Sequence, residues 1–288
     1  MLNALTIDVE DYYHVTGFES VVRRTDWDSY ESRVGRNTFR LLDLLDMYHT
    51  KATFFILGWV AERDPHLVRT IHARGHEVAS HGYAHQRIYM QTPAQFQQET
   101  RRSMKLLQDT IGTHINGYRA ASYSITQESL WALDILGEEG FTYDSSIFPI
   151  RHDRYGIPGY PRFCHILTEY GGGHLIEFPI STARFAGTNV PIAGGGYFRL
   201  FPYRMIRWGI KSINCLEQQP ALIYLHPWEV DPEQPRIQAN AAARFRHYVN
   251  LHKTEARLCR LLQDFTFGTL LDVLAQQHLL GHASRKQG

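Results

Sequence analysis

Two histidines in the segment SHGYAH, His81 and His85, stand four residues apart. Imidazoles at this spacing lie on one side of a helical turn and can both reach one metal ion, and the spacing is common in zinc sites. The alternative is an ordinary polar loop in which both histidines are surface or capping residues. The pair alone does not decide between these two interpretations.

The segment ALTIDVED brings carboxylates next to an apolar strand. A strand of this kind should not carry an unpaired carboxylate into the core, because burying such a charge costs roughly several kcal/mol or forces its protonation. One carboxylate from this segment would complete a set of three ligands with His81 and His85 and would leave room for water. The two segments together therefore indicate a metal site.

His226 ends the apolar segment ALIYLH, and PWEVDP follows with a proline stop. The strand is too apolar to hold an unpartnered imidazole in its interior, so we expect the ring at the strand end. A histidine there can act as a general acid, because its ordinary pKa of about 6.5 lies near working pH.

These residues share a position relative to the secondary structure. Apolar runs alternate with amphipathic stretches, which indicates repeated β-α units around a parallel sheet. In a β/α barrel the carboxyl ends of the strands converge on one rim, so residues far apart in sequence meet in one cleft. The candidate residues follow the first, third, fourth, fifth and last strands: Asp8, Glu10 and Asp11; His81 and His85; Arg119; Asp144; His226.

The composition bounds the function. The 288 residues, 43% of them hydrophobic, can form one large domain over 1–288. A net charge of +1 provides no broad attraction for nucleic acid or an anionic membrane surface. The three cysteines lack the spacing of a zinc-thiolate site. We expect no transmembrane segment and no secretory signal, and hence a cytoplasmic protein, working in solution or at the inner face of the membrane.

Five segments in order resemble the polysaccharide deacetylases of the NodB-homology type, carbohydrate esterase family 4: TIDVED, SHGYAH, GYRAASYS, YDSSIFP and LIYLHPWE. The chain that follows, with HPWEVDPEQPRIQ and RFRHYVNL, resembles the C-terminal extension of a subgroup associated with exopolysaccharide and exosortase (PEP-CTERM) gene clusters. The resemblance implies an α/β fold, a distorted (β/α) barrel with fewer than eight regular strands. We expect this barrel over 4–228 and a helical extension packed on it over 229–280.

The resemblance also implies a divalent metal, usually zinc, and hydrolysis of an N-acetyl group on a sugar. Matched by position, six residues receive roles: Asp8 as general base, His81 and His85 as metal ligands, His226 as general acid, Arg119 as the group that holds Asp8, and Asp144 as the acid that orients His226.

The chain departs from the family pattern at two places. The usual start has two adjacent aspartates, whereas Val9 follows Asp8 here. Strand alternation puts Glu10 on the same face as Asp8, and some related members place their metal acid at this spacing. If the strand ends one residue early, Asp11 turns inward instead, so both acids stay candidates. Second, Ala120 follows Arg119, where the family commonly has proline.

Aromatic residues near the motifs could contact the apolar faces of a pyranose. The candidates are Tyr123, Trp228, Tyr197 and Phe198, although most rings in a chain with 12% aromatics belong to the core. Tyr123 and Trp228 are favoured, because the motifs put them at the rim.

The sequence thus predicts a metal-dependent hydrolase that removes N-acetyl groups from an N-acetylhexosamine-containing bacterial glycan or its precursor. One alternative is a cyclic amide or ureide hydrolase, allantoinase-like or imidase-like, because relatives of this barrel act on small nitrogen compounds. Another is a glycan-binding protein without catalysis, which would usually have lost the base, a metal ligand or the acid. The oligomeric state does not follow from the sequence.

Overall fold

The computed structural model describes residues 1–167 and 175–280. Most of its strands belong to one curved sheet, and a separate hairpin lies beside it. The strands are β1, Leu2–Val9; β2, Thr53–Ile56; β3, Glu77–Ser80; β4, Gly117–Tyr118; β5, Tyr143–Asp144; β6, His165–Leu167; β7, Leu175–Glu177; β8, Thr182–Phe185; β9, Thr188–Pro191; β10, Leu222–Leu225; and β11, Thr266–Gly268.

The sheet is a distorted, open barrel. Its order is β10-β1-β2-β3-β4-β5-β7-β6, with β11 paired to β1 outside this path. Seven strands along the path run parallel and the edge strand β6 is antiparallel to β7. Among the described residues the two end strands do not pair with each other, so the barrel does not close. The expectation of a distorted β/α barrel is confirmed, and its sheet has nine strands where fewer than eight regular ones were expected.

Helices surround this sheet. They are α1, Val34–Met47; α2, Gly58–Arg63; α3, Pro65–Ala73; α4, Pro93–Ile111; α5, Trp131–Glu138; α6, Gly195–Leu200; α7, Tyr203–Lys211; α8, Ala241–Tyr248; α9, Thr254–Asp264; and α10, Leu270–Gln276. Within the part of the chain that the structure describes, none is both long and apolar enough to cross a bilayer.

Alternation along the strands creates two apolar layers. In β1, Ala4 packs inside the barrel, whereas Leu5 and Ile7 pack between the sheet and the helices. The same alternation holds in β2, where Phe55 points inward and Phe54 outward. Because side chains of a strand point alternately to its two faces, Asp8 lies on the inner face with Ala4.

Within the helical extension expected over 229–280, helical periodicity predicts two helices, over 238–264 and 267–279, and the structure differs from this pair. The first is broken into α8 and α9, because Val249 is extended and Asn250 has a left-handed backbone with φ 52°. Residues 266–268 form β11, so this region adds a strand to the barrel as well as helices. The domain division stays a prediction, and residues 168–174 and 281–288 lie outside the described part.

In the segment 150–200 the repeating pattern loosens and glycine-rich turns occur, which predicts long loops over one face. The structure places a hairpin of β8 and β9 and the short helix α6 there. Gly194, just before α6, has φ 147°, and a Cβ there would lie 1.8 Å from the carbonyl oxygen of Tyr224. Only glycine permits this approach of the backbone to β10.

Replacing Gly194 by alanine should therefore lower the free energy of unfolding by about 3 kcal/mol or more, through clash and backbone strain. Gly196 is the control, because a Cβ there meets no atom within 4 Å. Its replacement by alanine should be neutral or stabilise the helix by up to about 1 kcal/mol. Chemical denaturation of both variants measures the difference, and equal effects would contradict the proposed contact.

Candidate active site

Asp8 and Arg119 form a buried ion pair at the carboxyl end of the barrel. Asp8 lies near the end of β1, and Arg119 directly follows β4. Nη1 of Arg119 donates to Oδ1 of Asp8 at 2.7 Å and to the Thr6 hydroxyl at 2.7 Å. Nε and Nη2 of the same guanidinium bind the carbonyl and hydroxyl of Ser145. Arg119 thus fixes the Asp8 carboxylate through one oxygen and leaves Oδ2 available.

The SHGYAH segment forms a loop after β3, and not the helical turn expected from its spacing. Gly82 and His85 have positive φ angles of 70° and 49°. The loop is held by α2, where the backbone N–H of Gly58 donates to the carbonyl of Gly82 at 2.8 Å. This bend still brings the rings of His81 and His85 to 5.5 Å between centroids.

Glu10, His81 and His85 form a candidate metal centre. All three are buried, and one ligand atom from each lies within 4.8 Å of the others. Oε2 of Glu10 is 2.9 Å from Nε2 of His85. Burial by itself raises the pKa of Glu10. The charge and hydrogen bond of His85, together with the charges of His226 and His81, outweigh burial and lower this pKa. The group therefore provides one carboxylate and two imidazoles around a common point.

The tautomer and the neutral state of the His81 ring are those that a metal ligand needs. Its Nδ1 lies 2.8 Å from the carbonyl oxygen of Arg119, and since a carbonyl can only accept, Nδ1 carries the hydrogen. Nε2 is then left with its lone pair facing the site. Burial lowers the pKa of His81 to about 4, which keeps the ring neutral at pH 7.

Asp11, the alternative metal ligand, faces away from this group. Its Oδ2 accepts hydrogen bonds from the backbone N–H groups of Arg33 and Val34 at 2.6 and 2.9 Å and from the Ser32 hydroxyl. Its Oδ1 accepts from the N–H of Tyr12. The carboxylate thus binds the N-terminus of α1, where free N–H groups and the helix dipole favour an anion.

His226 faces both carboxylates across the site. Its Nε2 lies 3.3 Å from Oε1 of Glu10 and 3.9 Å from Oδ2 of Asp8, and its Nδ1 lies 2.6 Å from Oε1 of Glu229. Burial lowers the pKa of His226, but the bond to Glu229 and the charges of Glu10 and Asp8 outweigh burial and raise it to about 9. A cationic ring with Nε2 aimed at the site can donate a proton there.

Glu229 is in turn held by Arg199. Nε of Arg199 donates to Oε2 of Glu229 at 2.7 Å, and both side chains are buried. The remaining guanidinium nitrogens donate to the carbonyl oxygens of Arg246, His247 and Val249, at the C-terminal end of α8. Unpaired carbonyls at a helix C-terminus favour a cation. The C-terminal region thereby positions the side chain that orients His226.

Asp144 does not orient His226, contrary to the expectation from the resemblance. Tyr143 of β5 points into the barrel, so alternation turns Asp144 to the opposite face. There its Oδ1 accepts from the Ser146 hydroxyl at 2.6 Å. Burial raises the pKa of Asp144, and burial together with the charge of Asp144 raises the pKa of Glu177 well above its ordinary value. This acid pair lies beneath the site.

A cavity of about 640 Å³ opens over these residues. Of the aromatic candidates, Tyr123, Tyr197 and Trp228 line it. Trp228 is stacked between His226 and His247, with ring centroids 5.0 and 4.1 Å away. Its exposed fraction is only 4%, so it supports the His226 ring more than it offers a surface to a sugar.

Phe198 does not line the cavity and is fully buried between the sheet and the helices. It follows Tyr197 on α6, and neighbouring residues of a helix point about 100° apart. Tyr197 faces the cavity, so Phe198 faces the core. The expectation that Phe198 contacts substrate is therefore wrong for this arrangement.

Glu229 and Arg199 were not among the residues predicted from the sequence. Glu229 stands three residues after His226, with Pro227 between them, and a turn over Pro227–Val230 brings the two side chains together. The spacing HPWE was thus a usable signal. No sequence signal indicated Arg199, because its partners are about 30 to 50 residues further along the chain.

Comparison with protein families finds two matches. Residues 27–141 match the family described as "Polysaccharide deacetylase", and residues 145–275 match the "Domain of unknown function (DUF3473)". The boundary between them falls inside one sheet, because β5 lies between the two matched ranges and pairs with β4 of the first and β7 of the second. The second region completes the barrel and supplies His226, Glu229 and Arg199.

Similar proteins include the peptidoglycan deacetylase of Helicobacter pylori, 34% identical over 38% of this chain and 36% of the relative. Chitin deacetylase 1 of Cryptococcus neoformans is 26% identical over 74% of this chain and 48% of the relative. The chain thus spans between about a third and a half of the length of these relatives.

Two solved structures have a similar fold. A polysaccharide-deacetylase-type structure from Mycobacterium smegmatis has a TM-score of 0.60 and 20% identity, over 96% of this chain and 91% of the other. The structure of Puue allantoinase has a TM-score of 0.59 and 14% identity, over 100% and 92%. Both likenesses concern the fold.

Proposed function

This chain belongs to the polysaccharide deacetylase family, and we propose that it hydrolyses the acetamide of an N-acetylhexosamine in a bacterial glycan or glycan precursor. The observation that carries the proposal is that Nε2 of His226 lies close both to the Asp8 carboxylate and to the Glu10, His81 and His85 group. A base, an acid and a set of metal donors all face one point in a cavity wide enough for a sugar.

We propose that Glu10, His81 and His85 hold a divalent cation, with zinc favoured. Two neutral imidazoles and one carboxylate are a donor set that zinc accepts, and three protein ligands leave a position for water or substrate. The His81 tautomer, fixed by the Arg119 carbonyl, fits this role. The chemistry that such a cation supplies when bound is Lewis-acid polarisation of water and of the amide carbonyl.

Asp8 would accept the proton of the attacking water through Oδ2. Arg119 holds the other oxygen at 2.7 Å, which fixes the direction of the free lone pairs. Because the pair is buried, bulk water does not compete for this carboxylate. The oxygen of the water forms a bond to the carbonyl carbon as its proton passes to Asp8.

His226 would then donate the proton of Nε2 to the departing sugar nitrogen. The carbon–nitrogen bond breaks, the products are acetate and an amino sugar, and the nitrogen needs this proton because an amide anion is a poor leaving group. Glu229 stabilises the cationic ring before donation and fixes its orientation.

Acetate release from an N-acetylglucosamine oligomer tests the proposal. We expect turnover that chelation abolishes and added zinc restores. Activity on allantoin or a hydantoin, with none on any N-acetylated sugar, would favour the cyclic ureide hydrolase, whose barrel has the same fold. Sugar binding without turnover, in the presence of metal, would favour a glycan-binding protein.

Replacing Glu229 by glutamine should lower kcat by about tenfold to a hundredfold, because His226 loses its orientation and the charge that raises its pKa. Since a general acid works only while protonated, the alkaline limb of the pH profile should move to lower pH. Asp144→Asn is the control, and its alkaline limb should stay in place. A shift in Asp144→Asn with none in Glu229→Gln would contradict the assignment.

A further inference from the structure

The rim of the cavity carries four side chains that the proposed reaction does not use. Arg154 lies on the segment after β5, Arg246 and Phe245 lie on α8, and Leu200 ends α6. Phe245 and Leu200 are large apolar side chains with exposed fractions of 58% and 48%. One rim thus combines positive charge with exposed apolar surface.

Among the described residues, the guanidinium groups of Arg154 and Arg246 have no hydrogen-bond or ion-pair partner, although the carbonyl of Arg246 accepts from Arg199. The nearby acid, Asp153, pairs with His152 at 2.9 Å. Both guanidinium groups are therefore free to bind an anion.

The charges of Arg154 and Arg246 both act on the ring of His152. The ring of His152 is stacked on Tyr155 with 3.8 Å between centroids, and it lines the same cavity. Burial lowers the pKa of His152, and the positive charges of Arg246 and Arg154 lower it further against the opposing effect of Asp153. Two chain segments thus bring positive charge to one side of the opening.

We propose that the substrate is an N-acetylhexosamine linked through a phosphate or diphosphate to a lipid chain. This inference rests on the proposed function and names its substrate class. Arg154 and Arg246 bind the phosphate oxygens, because guanidinium groups match phosphate in geometry and charge. Phe245 and Leu200 contact the first part of the hydrocarbon chain, whose transfer from water is favourable.

Other substrates use this rim less completely. A neutral polymer of N-acetylglucosamine leaves both guanidinium groups without an anion. A nucleotide sugar supplies the diphosphate but no hydrocarbon chain for Leu200 and Phe245 to contact. The cavity volume of about 640 Å³ lies in the range of about 300–1,000 Å³ found for small-ligand sites, which suits a single sugar with its phosphate.

The test compares acetate release from three substrates: N-acetylglucosamine linked by a diphosphate to farnesol, UDP-N-acetylglucosamine, and the neutral trimer of N-acetylglucosamine. The wild type should show a kcat/KM about tenfold or more higher for the farnesyl substrate than for the neutral trimer. Arg154→Gln and Arg246→Gln should each reduce this preference by about fivefold to tenfold without changing kcat/KM for the trimer.

Matched controls lie beside both arginines. Arg151 and Arg244 are exposed, on the same segment and the same helix, and do not line the cavity. Arg151→Gln and Arg244→Gln should keep the preference, whereas a loss equal to that of Arg154→Gln and Arg246→Gln would show only a general charge effect and overturn the inference. Phe245→Ser should lower kcat/KM for the farnesyl substrate alone.

The outcomes separate this inference from the proposed function. If the trimer is hydrolysed and the farnesyl substrate is not preferred, the lipid-phosphate inference fails and the deacetylase proposal stands. If UDP-N-acetylglucosamine equals the farnesyl substrate and Phe245→Ser changes neither, the lipid part is overturned. If no N-acetylated sugar is hydrolysed in the presence of zinc, the proposed function itself fails.

Discussion

Replacing Asp8 by asparagine should lower kcat for acetate release by about a thousandfold, within the range that loss of a general base produces. Asparagine keeps the shape of the side chain and an oxygen that can accept from Nη1 of Arg119. It cannot take a proton from water at neutral pH. Steady-state kinetics on an N-acetylglucosamine oligomer measures the loss.

Two measurements on Asp8→Asn show that the loss is chemical. Metal content should equal that of the wild type, because Asp8 does not belong to the Glu10, His81 and His85 group. Arg119 loses its charged partner in a buried position, so the free energy of unfolding should fall by up to about 3 kcal/mol. Kinetics must therefore be recorded well below the unfolding temperature. Activity within about threefold of the wild type would rule out Asp8 as the base.

Exchanging the two neighbouring acids Glu10 and Asp11 for their amides should give opposite results. Glu10→Gln removes one of three proposed ligands, so the affinity for zinc should fall by at least about a hundredfold, with activity falling in parallel. Asp11→Asn should keep metal and most activity, because Asp11 binds backbone N–H groups at the start of α1. Asparagine keeps one oxygen to accept from Arg33 and Val34 but loses the bond from the N–H of Tyr12, so the free energy of unfolding should fall by about 1–3 kcal/mol.

Zinc titration with a competing chelator measures both affinities under the same conditions. Because the two substitutions are adjacent and chemically equal, a general effect on folding would appear in both. A large loss of zinc affinity in Asp11→Asn, with none in Glu10→Gln, would reverse the assignment of the third ligand.

The positions of the main site residues followed from the sequence because of strand order. Asp8, His81, Arg119 and His226 each lie at or just after a parallel strand, and parallel strands end on one rim. Strand alternation also indicated Glu10 over Asp11. The alternation extends to Glu10 because β1 continues through Val9, so Asp8 and Glu10 stay on one face.

The role of Asp144 was predicted from motif order, and motif order says nothing about which face of a strand a residue occupies. Tyr143 fills the barrel interior, and alternation then sends Asp144 to the other side. The side chain that binds and orients His226 is Glu229, which lies in the same turn.

Other features depend on contacts that no local pattern carries. Arg199 meets carbonyl groups of α8 only after the chain has passed through β10 and folded back. The break between α8 and α9 is another case, because the left-handed Asn250 interrupts a sequence whose helical periodicity continues on both sides.

Anomalous diffraction at the zinc edge, from crystals of protein that releases acetate, tests the central claim most directly. We predict one peak within bonding distance of Glu10, His81 and His85, facing Asp8 and His226. A peak bound by Asp11 instead, or full activity in crystals with no metal at these three side chains, would contradict the proposed site.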